Sequence, residues 1–351
     1  MSETIRAIAL LSGGLDSTLA ARLVMEQGVD LVSLNFVSIF CTCTRGCGEG
    51  RASGEDGKPC RHEARLTAEE LGLPFVVRPS TREMIEAVKH PRFGYGKNMN
   101  PCLDCRAGML RRARELMPEF GARFLVTGEV LGQRPMSQRL DAMRRIERDA
   151  GVEGLVLRPL SSKHLPPTIP EREGWVDRAK LLGIRGRSRR PQMSLAEAFH
   201  VKGYACPAGG CLLTDPSFGR KIKELLEHDP DFSVNDTHLL KFGRHFRLDP
   251  ATKAVVGRVE RENAHVRALA REGDALLCAT AGSSPDTLLR GDASDANLRA
   301  AAALTARYSK WRDESEVEIG VEWPRSERAP LALRVAPIGD AEAGRLAIGW
   351  A

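Results

Sequence analysis

The stretch "IRAIALLSGGLDSTLAARLV" (Ile5–Val24) decides the fold. Its first apolar run ends at Gly13 and Gly14, and apolar residues then recur at helical spacing over residues 15–27. This order predicts a buried parallel strand that turns through a glycine loop into a helix. Backbone N–H groups and the positive end of the helix dipole would meet in that loop. The stretch therefore predicts a phosphate site.

Strand and helix patterns continue to alternate after this unit. Strands are expected at 30–37, 74–79, 122–128 and 154–160, and helices at 61–71, 81–89, from Cys102 to Met117, and at 138–150. Such alternation predicts an α/β fold with a doubly wound parallel sheet, whose ligands bind at the carboxyl ends of the strands.

The pattern loosens after residue 160, where prolines interrupt it. We expect a nucleotide-binding domain over residues 1–165, a basic, cysteine-containing extension over 166–232, and a C-terminal α+β domain over 233–351. A helix near 218–227 would close the extension. The last domain would hold strands near 253–259, 274–280, 315–322 and 330–336, with a helix near 298–312.

The distribution of charged residues indicates which kind of molecule the protein binds. Residues 106–190 carry 19 basic and 10 acidic side chains, and the net charge of the chain is +6. This local excess favours a polyanionic partner, although a solvated arginine-rich surface would show the same pattern. No stretch reads as a signal peptide or as a membrane span, so we expect a cytoplasmic protein without a membrane partner.

The loop residues suggest which phosphate chemistry is involved. Ser12 and Ser17 can donate hydroxyl hydrogen bonds, and Asp16 would either hold Mg²⁺ or order the loop. The sequence has neither a Walker motif nor G-x-G-x-x-G at this place. An ordinary capped strand–turn–helix connection remains the structural alternative.

Nine cysteines suggest metal binding or sulfur chemistry in a reducing compartment. Cys102 and Cys105 form a C-x-x-C at a helix start, a position that lowers thiol pKa values. Further ligands would come from "CPAGGC", which contains Cys206 and Cys211. A four-cysteine zinc site and unrelated buried thiols also remain open. A further group in one loop could be a zinc site, a sulfur relay or plain loop residues: Cys41, Cys43, Cys47 and Cys60.

"SGGLDS" resembles the pyrophosphate loop of the adenine-nucleotide α-hydrolase superfamily, the PP-loop enzymes. The resemblance implies ATP cleavage between the α and β phosphates, with release of AMP and pyrophosphate. It implies a nucleotide site that comprises Ser12, Gly13, Gly14, Asp16, Ser17, Asn35 and Gly128.

Residues 5–229 also resemble the tRNA 2-thiouridine synthetases and the 4-thiouridine synthases, through "NPC-x-x-C", "TGEVLGQRPMSQ" and the later cysteine turn. This resemblance implies an ATP-dependent tRNA sulfurtransferase whose catalytic residues are Asp16, Cys102, Cys105 and Cys211. Iron–sulfur relatives imply a [4Fe-4S] cluster on Cys102, Cys105 and either Cys206 or Cys211, with zinc as the alternative metal.

Other residues are expected to position substrate or contact RNA. Glu129 and Gln133 follow a strand and would face the nucleotide. Arg134 and Arg139 are expected to meet either tRNA phosphate or pyrophosphate, with solvated arginines as the structural alternative. Lys163, His164 and the arginines of "RGRSRRP" are candidates for RNA-backbone contacts, and His164 is given no catalytic role.

Residues 236–338 resemble the RNA-binding domain of NFACT-type proteins, most specifically in "ARYSKWR". Arg244, Arg258 and Lys310 are the RNA contacts that we expect there. A stabilising or dimerising module is the structural alternative.

Together these features predict adenylation of a base carbonyl in tRNA and its replacement by sulfur. The expected partners are tRNA and a sulfur donor: a cysteine desulfurase, a carrier protein or free sulfide. A homodimer stays open. The alternatives are a PP-loop enzyme that thiolates or amidates a small molecule, and a non-catalytic RNA-binding protein with a structural metal site.

Overall fold

The computed structural model describes residues 4–42, 63–201 and 210–349. The chain divides into two compact units, Met1–Leu212 and Leu213–Ala351. No helix in the described ranges is long and apolar enough to cross a lipid bilayer.

The N-terminal unit is built on a five-stranded parallel sheet in the order β3-β2-β1-β4-β5. Helices connect the strands, as the predicted doubly wound α/β fold requires, and that prediction is confirmed. In chain order the elements are β1 (Arg6–Leu10), α1 (Leu15–Met25), β2 (Asp30–Val37), α2 (Glu63–Glu70), β3 (Phe75–Pro79), α3 (Thr81–Lys89), α4 (Cys102–Phe120), β4 (Phe124–Thr127), α5 (Leu140–Ala150), β5 (Val156–Leu157), α6 (Ile169–Arg172) and α7 (Arg190–Ala198).

Side chains of β1 alternate between two cores. Ala7 and Ala9 pack with residues of α1 and α7 on one face, whereas Ile8 and Leu10 pack with α4 and α5 on the other. A strand that is buried on both faces reads as a continuous apolar run, which is why β1 could be recognised in the sequence.

The strand order places the ligand crevice. It reverses between β1 and β4, and ligands of open α/β sheets bind beyond the carboxyl ends of strands at such a point. The loop between β1 and α1 and the segment after β4 both start at this edge. Helix α4 precedes the parallel strand β4, so its N-terminus with Cys102 also lies at this edge.

The C-terminal unit is a seven-stranded antiparallel sheet in the order β11-β10-β8-β9-β7-β6-β12. Its elements are α8 (Pro216–His228), α9 (Val234–Leu239), β6 (Arg244–Asp249), β7 (Thr252–Val256), α10 (Glu260–Ala268), β8 (Ala275–Ala279), β9 (Thr287–Arg290), α11 (Asp295–Arg307), β10 (Val317–Glu322), β11 (Leu331–Val335), α12 (Asp340–Leu346) and β12 (Ala347–Ile348). Leu277 and Leu289 face α11, whereas Leu276 and Leu288 face α10. The expected α+β class is confirmed for this unit.

The extension expected over residues 166–232 is divided between the two units, because α8 packs within the C-terminal one. Ser217 Oγ donates to the carbonyl of Gly349 at 3.2 Å, and Arg220 donates to the same carbonyl at 3.0 Å. An ion pair between Glu224 and Arg247 adds a contact from α8 to β6.

Candidate active site at the carboxyl edge of the parallel sheet

The glycine loop begins α1 without a side-chain cap. Gly14 is the N-cap residue, and no side chain accepts a capping hydrogen bond from the first turn of α1. Uncapped N–H groups at a helix start are groups that can bind an anion. Gly13 has φ of +75°, and a Cβ there would lie 2.5 Å from the Ala64 backbone nitrogen. This loop conformation therefore needs glycine.

Two serines fix the loop from inside. Ser17 Oγ donates to the Gly14 carbonyl at 2.9 Å and accepts from the Ser12 backbone N–H at 3.3 Å. The two hydroxyl oxygens lie 3.1 Å apart. Both predicted hydroxyl groups are therefore in the loop, where they close the turn.

Gly128 brings β4 against the start of α1. A Cβ on Gly128 would lie 2.4 Å from the Ser17 backbone nitrogen and 2.6 Å from the Asp16 carbonyl oxygen. The structure thus places Gly128 beside the loop residues that the sequence assigned to the same site.

Asp16 is held by groups from the far side of the crevice. Gln133 Nε2 donates to its Oδ2 at 2.8 Å, and the Arg189 guanidinium lies 3.8 Å from the same oxygen. The other oxygen, Oδ1, is buried and has no hydrogen-bond partner within the described chain. Asp16 thus orders the loop through Oδ2, whereas Oδ1 can still accept one further ligand.

Asn35 supports the loop from β2. Its buried amide donates to the Leu11 carbonyl at 2.6 Å, which fixes the backbone where β1 enters the loop.

Burial changes the expected chemistry of the C-x-x-C thiols. Cys102 and Cys105 lie in the first turn of α4, as predicted. Burial raises the pKa of Cys105 to about 11, against the opposing charge of Arg106. Burial also raises the pKa of Cys102, although Arg134 and Arg106 oppose it. The expectation that this helix start lowers both thiol pKa values is wrong, because desolvation of the thiols outweighs the nearby charges of Arg106 and Arg134.

Cys41 and Cys211 face each other across a short antiparallel bridge. Cys41 follows β2 at the carboxyl edge of the sheet, and its charge helps to raise the pKa of Cys105, so the two residues are neighbours. The predicted Cys211 is therefore joined by Cys41, whose role the sequence left open. Cys43, Cys47, Cys60 and Cys206 lie outside the described residues.

The described cysteines are not arranged as ligands of the expected [4Fe-4S] cluster. Among residues 4–42, 63–201 and 210–349, no group of three or more Cys, His, Asp or Glu side chains is arranged to hold a metal ion. Cys102, Cys105 and Cys211 therefore do not form a [4Fe-4S] or zinc site in the described part of the chain, and Cys206, the alternative third ligand, lies outside it.

A buried ion-pair network links the start of α4, which carries the cysteines, to the segment beside the glycine loop. Glu129 lies 3.0 Å from Arg106 and 2.9 Å from Arg158. Burial opposes its ionisation, but the charges of Arg106 and Arg158 and the hydrogen bonds from Arg158 and Thr127 hold the pKa of Glu129 below its ordinary value. Because Arg106 follows Cys105 and Glu129 follows Gly128, this network ties the thiol segment to the loop.

The basic residues predicted to contact RNA have varied surroundings. Arg134 lies near enough to Cys102 to affect its pKa, whereas the exposed Arg139 pairs with Asp141 at 2.6 Å. His164 Nε2 lies 2.8 Å from the Gly183 carbonyl oxygen, and Lys163 is exposed. Sequence reasoning named the "RGRSRRP" arginines only as RNA contacts. Their spacing gave no signal that Arg189 approaches Asp16.

The C-terminal candidates combine cations with aromatic rings. The guanidinium of Arg244 lies 4.5 Å from the Tyr308 ring centroid, and Lys310 Nζ lies 4.5 Å from that of Trp311. Arg258 instead pairs with Glu262 on α10. Cations over rings are groups on which nucleic-acid bases can stack.

Comparison with known proteins matches each unit to a different family model. Residues 3–165 match the model described as thiamine biosynthesis protein (ThiI), and residues 243–345 match the NFACT protein RNA binding domain.

Curated relatives match the N-terminal part of the chain. A probable tRNA sulfurtransferase of Thermococcus kodakarensis is 30% identical over 188 residues, which are 53% of this chain and 43% of the relative. The tRNA-specific 2-thiouridylase MnmA of Bartonella quintana is 30% identical over 161 residues, 42% of this chain and 36% of that protein. The chain thus spans less than half the length of these relatives.

A solved 4-thiouridine synthetase–RNA complex with bound ATP aligns over 63% of this chain and 50% of that chain, at 22% identity and a TM-score of 0.36. The family resemblances expected from the motifs are confirmed by the sequence comparisons: the chain is similar to the ThiI and MnmA tRNA sulfurtransferases in its N-terminal unit, and to the NFACT RNA-binding domain in its C-terminal unit.

Proposed function

We propose that the protein is an ATP-dependent tRNA sulfurtransferase that forms AMP and pyrophosphate. The observation that carries this proposal is the physical link between the loop and the thiols. Gly128 contacts Ser17 in the loop, Glu129 binds Arg106, and Arg106 adjoins Cys105 at the start of α4. The glycine loop, which we propose binds phosphate, and the sulfur-bearing side chains thus lie at one edge of the sheet.

The loop supplies activation. The N–H groups at the start of α1 would bind the leaving pyrophosphate as a base carbonyl oxygen attacks the α-phosphorus of ATP. The carbonyl oxygen then belongs to an adenylate, which leaves as AMP when sulfur adds to the same carbon. Without this step an amide-like carbonyl is a poor leaving group.

Only one carboxylate oxygen of Asp16 is available to bind Mg²⁺, because the other already accepts a hydrogen bond from Gln133. Mg²⁺ in nucleotide sites is often bound by one or two carboxylates together with phosphate oxygens, and it neutralises phosphate charge. The unpartnered Oδ1 of Asp16 can supply one such ligand. The contact of Oδ2 with Gln133 would keep the loop in register.

The sulfur would be carried by thiols at the same edge. An iron–sulfur cluster on Cys102, Cys105 and Cys206 stays a prediction, because Cys102, Cys105 and Cys211 form no metal site among the described residues. Iron and acid-labile sulfide assays on anaerobically purified protein test it. About four of each per chain support a [4Fe-4S] cluster, and none of either contradicts it.

tRNA would be the acceptor. The basic excess over residues 106–190 and the cation–aromatic pairs of the C-terminal unit, Arg244–Tyr308 and Lys310–Trp311, support a polyanionic, base-containing partner. The sulfur donor would be a cysteine desulfurase, a carrier protein or free sulfide.

Nucleoside mass spectrometry of tRNA from a gene-deletion strain tests the proposal. Loss of one thionucleoside, restored by the wild-type gene but not by a Cys102→Ser, Cys211→Ser double variant, is the expected result. Unchanged tRNA thiolation, together with RNA-independent pyrophosphate release, would instead favour the small-molecule enzyme.

A further inference from the structure

The bridge between Cys41 and Cys211 has a geometry that suits a disulfide. The Leu212 N–H donates to the Phe40 carbonyl at 2.8 Å, and the Thr42 N–H donates to the Gly210 carbonyl at 3.1 Å. These bonds flank the two cysteines, which therefore form a non-hydrogen-bonded antiparallel pair. Cα atoms in such a pair are about 4.5 Å apart, within the range of about 4.4–6.8 Å that disulfides accept.

Side-chain contacts hold this register. Thr42 Oγ1 donates to the Gly210 carbonyl at 2.7 Å and lies 2.8 Å from the Gly210 backbone nitrogen. A shift by one residue would break these contacts and turn the thiols to opposite faces. Ser38 Oγ lies 3.4 Å from Cys41 Sγ, where its hydroxyl can donate to a thiolate.

We infer that Cys41 is a resolving cysteine that releases sulfur from Cys211. Cys211 takes a sulfane sulfur from a persulfide donor and becomes a persulfide. The Cys41 thiolate attacks Cys211 Sγ, a Cys41–Cys211 disulfide forms, and the bond from Sγ to the outer sulfur breaks. The outer sulfur leaves with the electron pair as hydrosulfide.

An external thiol reductant must reduce the Cys41–Cys211 disulfide after each release of hydrosulfide. The sulfane sulfur is reduced to hydrosulfide while two cysteines are oxidised to a disulfide, and an external dithiol regenerates both thiols before the next turnover. Use of the hydrosulfide at an adenylated carbonyl rests on the proposed function, whereas disulfide formation does not.

Cys41 differs from the other described thiols of the unit in its position. It faces Cys211 directly across the bridge, whereas Cys105 lines a small apolar cavity with Phe36, Met84 and Met109.

Persulfide loading of the full chain tests the inference without ATP or tRNA. The reduced protein is treated with sodium polysulfide, desalted and assayed for released sulfide, and its tryptic peptides are mapped without reduction. We expect about one sulfide per loaded persulfide, with a Cys41–Cys211 crosslink. Cys41→Ser should keep the persulfide on Cys211 and release sulfide at least tenfold more slowly.

Matched controls make the assignment specific. Cys43 shares a tryptic peptide with Cys41, and Cys206 shares one with Cys211, so fragment spectra must locate the bond. Cys43→Ser and Cys278→Ser should release sulfide like the wild type. A bond from Cys211 to Cys102 or Cys105 in the wild type, or wild-type release by Cys41→Ser, overturns the inference.

Mapping after diamide oxidation of the wild type serves as a second readout if Cys41→Ser does not fold. Oxidation should join Cys41 to Cys211 first. A protein that gives this crosslink but makes no AMP would contradict the proposed function alone.

Discussion

Gly128 shows how a residue without a side chain can shape the proposed nucleotide site. The end of β4 approaches the first turn of α1 so closely that there is no space for a Cβ. Because Gly128 has no side chain, the segment that holds Glu129 and Gln133 can lie close to the glycine loop.

Replacement of Gly128 by Ala should disturb this site. The new Cβ would lie 2.4 Å from the Ser17 backbone nitrogen, so α1 or β4 must shift. We expect a loss of about 1–3 kcal/mol in the free energy of unfolding, as for other overpacked sites, and at least tenfold weaker ATP binding. Gly108→Ala is the control, because its Cβ meets no atom within 4 Å. Calorimetry that finds equal ATP affinity for both variants would contradict the role of Gly128.

At the residue scale, the sequence predicted which residues lie in the glycine loop better than it predicted the burial and the neighbours of the cysteines. Ser12, Asp16 and Ser17 are together in the loop because a local motif places them there. The pKa direction of Cys105 was missed because burial depends on packing around α4, which C-x-x-C spacing does not encode. Cys41 was not singled out because its neighbour Cys211 is 170 residues away along the chain.

At the scale of elements, β7 carries an unusual side chain in the core of the C-terminal unit. Lys253 is 5% exposed, and its Nζ has no hydrogen-bond partner among the described residues. Burial lowers its pKa to about 8, although Glu224 opposes this shift. Charging this amine in the folded state therefore opposes folding.

Lys253→Met should stabilise the protein at pH 7 by about 1–3 kcal/mol. Because the folded pKa is below the unfolded one, wild-type stability should rise with pH from about 8 to about 10.5, and the variant should lose part of that rise. Thermal melts of the full chain from pH 7 to 10 measure both effects, with the exposed Lys223→Met as control. A parallel pH profile for wild type and Lys253→Met would show that the amine is not the cause.

Element prediction succeeded where the local pattern was strong. The strand expected at 30–37 is observed as β2 with the same bounds, and the helix at 81–89 as α3. β6 and β9 were not singled out. Thr287–Arg290 has only four residues, and its buried Arg290 interrupts the apolar pattern while pairing with Asp236 and Asp274. That compensation is tertiary and has no local sequence signal.

At the scale of the whole molecule, the chain combines a parallel α/β unit with an antiparallel unit. The boundary at residues 212 and 213 differs from the expected start of the last domain at 233, because α8 contributes Phe218, Ile222 and Leu225 to buried positions. Composition alone placed α8 in a basic extension.

This boundary predicts how the C-terminal unit can be isolated. A fragment of residues 213–351 should fold cooperatively, whereas one of residues 233–351 should melt at least several degrees lower, since it loses the contacts of α8 with Gly349 and Arg247. Circular dichroism melts of the two fragments compare them. Equal melting temperatures would place α8 outside the folding unit.

The central claim is that the sheet edge couples ATP cleavage at the α–β bond to sulfur transfer onto tRNA. The most direct test incubates the purified full chain with α-labelled ATP, tRNA, sulfide and a dithiol, and then measures nucleotides by chromatography and tRNA nucleosides by mass spectrometry. The predicted result is tRNA-dependent AMP, with about one thionucleoside formed per AMP. ADP as the product, or AMP formed at the same rate without tRNA, would contradict the account.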